Sequence, residues 1–114
     1  MPATIEPTAS FKDNLAQLPS IEGIARIHLV DEAGAVVASI ENQAGKQGSL
    51  AVYRYLKEHF ASLDAQAADH GLAVFAEHTA DARNRPGAHP NVDRLIAVVE
   101  GAAPLSIELV AADS

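Results

Sequence analysis

A charged segment, residues 76–95, carries the side chains best suited to chemistry. It contains two histidines, His78 and His89, and the carboxylates Glu77 and Asp81 lie close to His78 in the chain. On a helix, Glu77 and Asp81 would share a face, because they are four residues apart. Imidazole with carboxylate can ligate divalent metals or form a general acid–base pair. We therefore take Glu77, His78, Asp81 and His89 as candidate catalytic residues, and His78, Asp81 and His89 as candidate metal ligands.

Most charges of this segment also have a structural interpretation. Arg85 follows Asp81 by four residues, which is the spacing of a helical ion pair. Asn91 suits the cap of a following helix, since its side chain can accept from a free backbone N–H group. None of the two-histidine spacings of established metal sites, such as HExxH, is present. Both interpretations stay open at this point, and ion-paired, solvated charges are favoured over a functional site.

A glycine-bearing loop is the second candidate site. Gly45, Lys46, Gly48 and Ser49 precede a predicted helix, where backbone N–H groups attract anions and the lysine adds positive charge. The phosphate-binding motif GxxxxGK[ST] is not matched, because the glycine spacing differs and Gln47 follows the lysine. The loop is thus a candidate anion or nucleotide site. An ordinary strand-to-helix connection, in which Ser49 caps the helix, is favoured over it.

The elements that position these segments follow from hydrophobic periodicity and turn residues. Ser10 caps a short first helix by a capping-box pattern, and Pro19 predicts its end. Alternating apolar residues on both sides of a turn at 31–34 predict a β-hairpin, and residues 105–109 alternate in a last strand. The expected order is α-β-β-α-α-α-β. It describes an α+β fold with a small, mostly antiparallel sheet that helices cover on one face.

Residues 72–77 are the ambiguous part of this prediction. Asp64 predicts the start of a helix that reaches at least Gly71, and the helical apolar stripe continues through Phe75. Gly71 followed by Leu72 also resembles a helix stop, after which residues 72–77 would form a strand. Helix is favoured over strand, because alanine and glutamate have high helix propensity.

Composition sets further limits on the protein. The 114 residues suit one domain over residues 10–112, preceded by a flexible lead-in at 1–9. The absence of cysteine fits a cytoplasmic protein, and a net charge of −7 argues against general nucleic-acid binding. No apolar run approaches the roughly 20 residues of a membrane span. Many alanines and only 4% aromatic residues predict closely packed helices without a roomy ligand cavity.

Three stretches resemble a small family of bacterial proteins of unknown function. They are FKDNLAQLP at 11–19, GSLAVYRYLKEHF at 48–60 and AEHTADARNRPGAHPNVDRL at 76–95. The resemblance runs from about Phe11 to about Val110, which is nearly the whole chain. It implies a bacterial cytosolic protein that forms a single domain. It supplies no activity, cofactor or catalytic residue.

Two functions are expected from these features. The first is a small cytoplasmic binding or regulatory module that acts through protein contacts as a homodimer, because no catalytic motif is complete and a sheet edge can pair with another copy. The alternative is a metal-binding or acid–base enzyme that uses residues 76–95. The enzyme requires His78 and His89 to converge in a concave surface. The binding module requires an exposed apolar patch or a paired strand edge.

Overall fold

The computed structural model describes residues 5–18, 20–60 and 62–112. Within these ranges the elements are α1 (Phe11–Leu15), β1 (Ile24–Val30), β2 (Val36–Glu41), α2 (Gln47–His59), α3 (Ala65–Phe75), α4 (Glu77–Asn84), α5 (Pro90–Val99) and β3 (Ser106–Ala111). The predicted α+β order is confirmed, since α3 and α4 together occupy one predicted helix that is interrupted at Ala76. In the described part of the chain, no helix has both the length and the apolar character that a membrane crossing requires.

The sheet contains three antiparallel strands in the order β2-β1-β3. The predicted hairpin is confirmed, and Asp31 organises its turn. The carboxylate atom Oδ1 of Asp31 accepts hydrogen bonds from the N–H groups of Ala33 and Ala35, both at 2.9 Å. Gly34 has a φ of 87°, a conformation that costs glycine no steric penalty.

The core lies between one face of the sheet and the helices. Ile27 and Leu29 of the central strand β1 are fully buried, as are Leu50 and Leu56 of α2 and Leu95 of α5. Burying each side chain of this size contributes about 1.5–3 kcal/mol relative to leaving it exposed. The alternation in β1 and the helical spacing in α2 and α5 therefore place their apolar residues in one common core.

Helix α3 begins where the sequence predicts, and it continues past Gly71. The Asp64 side chain caps it, accepting from the N–H of Ala67 at 2.9 Å. A Cβ atom at Gly71 would lie 2.9 Å from Cδ1 of both Leu56 and Leu95, so this glycine lets α2 and α5 pack closely on α3. Residues 72–75 are helical, as favoured, and the strand alternative is wrong. The helix ends instead at Ala76, whose φ is 55°.

Two predicted helix caps are wrong. Helix α2 starts two residues before Ser49, and α5 starts at Pro90, one residue before Asn91. Proline favours the first helical position because its φ is already helical and it has no N–H group to leave unpaired. The actual N-cap residues are Lys46 and His89, and neither forms a side-chain capping hydrogen bond. Both helix starts therefore lack the usual side-chain acceptor.

The first helix is attached through a buried amide. Ser10 caps α1 as predicted, and its Oγ accepts from the N–H of Asp13 at 3.4 Å. The amide nitrogen of Asn14 donates to the carbonyl oxygens of Val74 at 3.0 Å and Thr8 at 3.1 Å. Within the predicted lead-in, residues 5–9 form neither helix nor strand, and residues 1–4 lie outside the described ranges. Pro19, the predicted stop of α1, also lies outside them.

Candidate functional site

A surface groove of about 750 Å³ brings the two candidate segments together. Gly45, Lys46, Gly48 and Ser49 line it from the glycine-bearing loop, and His78 and His89 line it from the charged segment. Its volume lies within the range of small-molecule sites, about 300–1,000 Å³. The sequence predicts closely packed helices without a roomy ligand cavity, so a groove of this size was not predicted.

The start of α2 forms one wall of the groove. The N–H groups of Gln47, Gly48 and Ser49 have no hydrogen-bond acceptor among the described residues. A Cβ atom at Gly48 would lie 3.0 Å from the Phe11 ring, so glycine allows this wall to approach α1 closely. Free N–H groups at a helix start carry partial positive charge and favour an anion.

Two cations line the groove without an ionic partner. Lys46 is exposed, and Arg94 is half-buried with its Nη1 donating to Oδ1 of Asn91 at 2.9 Å. Neither forms a salt bridge with any described residue, and no described lining residue is aspartate or glutamate. In a chain of net charge −7, the described lining of the groove therefore contains two cations and no carboxylate.

Arg94 is a charged groove residue that the sequence did not indicate as a candidate. One sequence feature could have indicated it: no carboxylate lies three or four residues away to pair with it along the helix. Those positions hold Pro90, Asn91, Ala97 and Val98. Lys46 can be recognised as a cation available for a ligand only once the start of α2 is known. A cation at an N-cap opposes the helix dipole, and an anion nearby would offset this.

A buried tyrosine positions the start of α5 behind these cations. The hydroxyl of Tyr53 on α2 donates to the carbonyl oxygen of Asn91 at 2.6 Å. Burial raises the pKa of Tyr53 to about 12, and the positive charge of Arg94 partly opposes that shift. Tyr53 is therefore a neutral hydrogen-bond donor near pH 7, and it connects the two helices whose starts border the groove.

The charged segment folds back on itself, as the acid–base alternative requires. Nε2 of His89 lies 2.6 Å from Oδ2 of Asp81, and the rings of His78 and His89 have centroids 5.4 Å apart. Arg85 binds the same carboxylate through Nη2 and through Nε, the latter at 2.8 Å from Oδ1. Hydrogen bonds from Arg85, and then from His89, hold the pKa of Asp81 well below its ordinary value.

Glu77 lies apart from this cluster. Its Oε1 accepts from the N–H of Phe11 at 2.7 Å, and this hydrogen bond lowers the pKa of the Glu77 carboxyl. Glu77 is absent from the described lining of the groove. Its carboxylate therefore acts at the start of α1, and the structure brings together three of the four candidate catalytic residues.

The proposed metal ligands do not form a metal-binding geometry. Among the described residues, no group of three histidine, aspartate or glutamate side chains is arranged to hold a metal ion. Within the set His78, Asp81 and His89, both oxygens of Asp81 already interact with Arg85 or His89. The cluster is thus built as an ion-paired network.

A row of four rings runs along the groove, and we call it the ring row. Phe75 stacks on Phe11 with centroids 5.4 Å apart, and Phe11 meets His78 edge-to-face at 4.9 Å. His78 then leads to His89. All four residues line the groove, and all except Phe75 are partly exposed. The groove therefore combines aromatic surface with positive charge.

Comparison with known proteins places the chain in one family. The model of an uncharacterised protein family conserved in bacteria, DUF2322, matches residues 11–109. This match confirms the resemblance that the sequence motifs indicate. No curated protein and no solved structure matches the chain.

Proposed function

The chain belongs to this uncharacterised bacterial family, and we propose that it is a binding module that takes a small anionic ligand in the groove. The observation that carries the proposal is the charge of the lining. Lys46, Arg94 and two histidines line the groove, and none of its described lining residues is acidic. The chain as a whole carries a net charge of −7.

The half-buried side chain of Arg94 supports this proposal physically. A cation that is partly removed from water is unfavourable unless a counter-ion or several acceptors satisfy it. Among the described residues its side chain hydrogen-bonds to Oδ1 of Asn91 and interacts with the hydroxyl of Tyr53, and no carboxylate pairs with it. A phosphate or carboxylate group would form charge-assisted hydrogen bonds with it. The free N–H groups at the start of α2 would add further donors.

Thermal unfolding with inorganic phosphate tests this proposal. A ligand that binds only the folded state raises the midpoint as its concentration increases. We expect phosphate to raise the midpoint more than chloride does at equal ionic strength, and Arg94→Gln to abolish the difference. Lys57→Gln is the matched control, because it removes one exposed positive charge from α2 outside the groove. Equal effects of phosphate on both variants would contradict the proposal.

Protein contact through the sheet edge is a second candidate function. Val36 and Val37 of β2 are 53% and 54% exposed, and β2 is an edge strand. Exposed apolar residues on an unpaired edge can pair with the same strand of another copy. Sedimentation equilibrium tests this homodimer. We expect Val37→Lys to shift a dimer to monomer, whereas a wild-type monomer at all concentrations would exclude it.

Acid–base chemistry in the same groove is the remaining candidate. It is favoured by the close pairing of His89 with Asp81 and by the position of His89 in the lining. A general acid or base must reach the reacting group of the bound molecule within hydrogen-bond distance. NMR spectra of a bound compound over time test this candidate. Conversion by the wild type and not by His89→Gln would support it.

A further inference from the structure

We infer that the ligand of the groove joins a planar ring to its anionic group, as a nucleoside monophosphate does. The inference rests on the proposed anionic-ligand function and specifies the chemical class of the ligand. It follows from three features of the groove: its size, its ring row and its polar and cationic side chains.

The size of the groove argues against a simple inorganic anion as the complete ligand. A volume of about 750 Å³ accommodates a molecule with several functional groups. An inorganic phosphate held by Arg94 and Lys46 would leave most of this space empty. It would also leave the aromatic surface of the groove without a contact.

The ring row supplies the surface on which a planar group can lie. Phe11 contacts two other rings of the row, Phe75 with centroids 5.4 Å apart and His78 with centroids 4.9 Å apart. Phe75 is only 2% exposed and stacks on Phe11, whereas Phe11 remains partly exposed in the groove. Bases and similar rings stack on such side chains with little dependence on their identity.

The polar side chains complete the match to a compound of this class. Lys46 and Arg94 provide positive charge for a phosphate, and Ser49 and Asn91 provide groups that can hydrogen-bond to a sugar or to a ring edge. A ligand with one planar ring and one phosphate would therefore use both kinds of surface. A sugar phosphate would use only the polar kind.

Calorimetric titration of the untagged protein tests the inference with three probes: adenosine 5′-monophosphate, ribose 5-phosphate and adenosine. Stacking of one base corresponds to an affinity gain of at least about fivefold. We expect the nucleotide to bind at least about fivefold more tightly than ribose 5-phosphate, and adenosine to bind most weakly. Phe11→Leu should bring the nucleotide to the affinity of ribose 5-phosphate and leave ribose 5-phosphate unchanged. Phe60→Leu, an aromatic truncation outside the groove, should change neither value.

The outcomes separate this inference from the function on which it rests. If the nucleotide and ribose 5-phosphate bind with equal affinity, and Arg94→Gln abolishes both, then the ligand needs no planar ring. The anionic-ligand proposal then still stands. If neither the nucleotide nor ribose 5-phosphate binds, both the inference of a planar ring and the anionic-ligand proposal are wrong. If adenosine binds as tightly as the nucleotide, both statements are also wrong, because the phosphate then contributes nothing to the affinity. If Phe11→Leu does not fold, His78→Gln tests the same ring row, and its expected effect is a selective loss of nucleotide affinity.

Discussion

Nε2 of His89 lies 2.6 Å from Oδ2 of Asp81, and this contact connects the N-cap of α5 to the middle of α4. It positions one of the two histidines that line the groove. Because Arg85 binds both oxygens of the same carboxylate, the geometry of His89 depends on a network of Asp81, Arg85 and His89.

Replacing Asp81 with asparagine should reduce stability in a pH-dependent way. The pKa of Asp81 is lowered in the folded state, so its contribution is complete above the unfolded value of about 3.9 and is lost as the pH falls towards the folded value. Thermal unfolding should give a lower midpoint for Asp81→Asn at pH 7, and the difference from wild type should narrow below about pH 4. Glu100→Gln is the control at an exposed carboxylate. A constant difference from pH 7 to pH 2 would contradict this assignment.

His70 should make the protein less stable in mildly acidic solution. Its Nε2 lies 2.6 Å from the hydroxyl of Tyr55, and burial, followed by the nearby charge of His59, lowers the pKa of His70. The unfolded chain then binds a proton more readily than the folded protein does. The contribution of neutral His70 to the free energy of unfolding is therefore complete above about pH 6.5 and is lost on acidification. Urea midpoints between pH 7.5 and pH 5.5 should fall less steeply in His70→Gln. An equal change of slope in His28→Gln would refute the assignment.

Asn14 should be essential for attaching α1 to α3. It is fully buried, and its Oδ1 accepts from the N–H of Thr8 at 2.7 Å while its Nδ2 donates to the carbonyl oxygen of Val74 at 3.0 Å. Asn14→Leu leaves these backbone groups without their partner. We expect a loss of about 2–3 kcal/mol in the free energy of unfolding, measured with urea. Lys12→Ala, on the exposed side of α1, should stay within about 0.5 kcal/mol of wild type. A similarly small change in Asn14→Leu would show that the buried network is dispensable.

Gly71 should resist replacement even by alanine. A Cβ atom there would meet the side chains of Leu56 and Leu95 at 2.9 Å. Overpacking costs about 1–3 kcal/mol, and the higher helix propensity of alanine returns at most about 1 kcal/mol. We expect Gly71→Ala to lower the free energy of unfolding, and Asp69→Ala on the exposed face of α3 to change it little. A stabilised Gly71→Ala protein would show that the two leucines move aside freely.

The correct and incorrect predictions from sequence differ in their physical origin. The hairpin around Asp31 and the start of α3 at Asp64 are correct, because period-two alternation and side-chain capping are local properties. Ser49 and Asn91 are wrong as caps, although both residue types favour that position. Pro90 starts α5 earlier, and a turn in which the N–H of Lys46 donates to Gln43 leads directly into α2. The preference of a residue type for the N-cap position does not decide where a helix starts when the preceding loop already sets the backbone direction.

The sequence by itself determined the order of elements, the one-sided sheet and the two segments where a site could form. Only the tertiary structure decided that these segments share one groove, since Lys46 and His89 lie far apart in the chain and meet through packing. That packing depends on close approaches at Gly48 and Gly71, where the absence of a side chain matters only once the neighbouring helices are in place. The role of Arg94 likewise depends on which carboxylates are near it in space. Periodicity reports which face of an element is buried, and it contains no information about which other element covers that face.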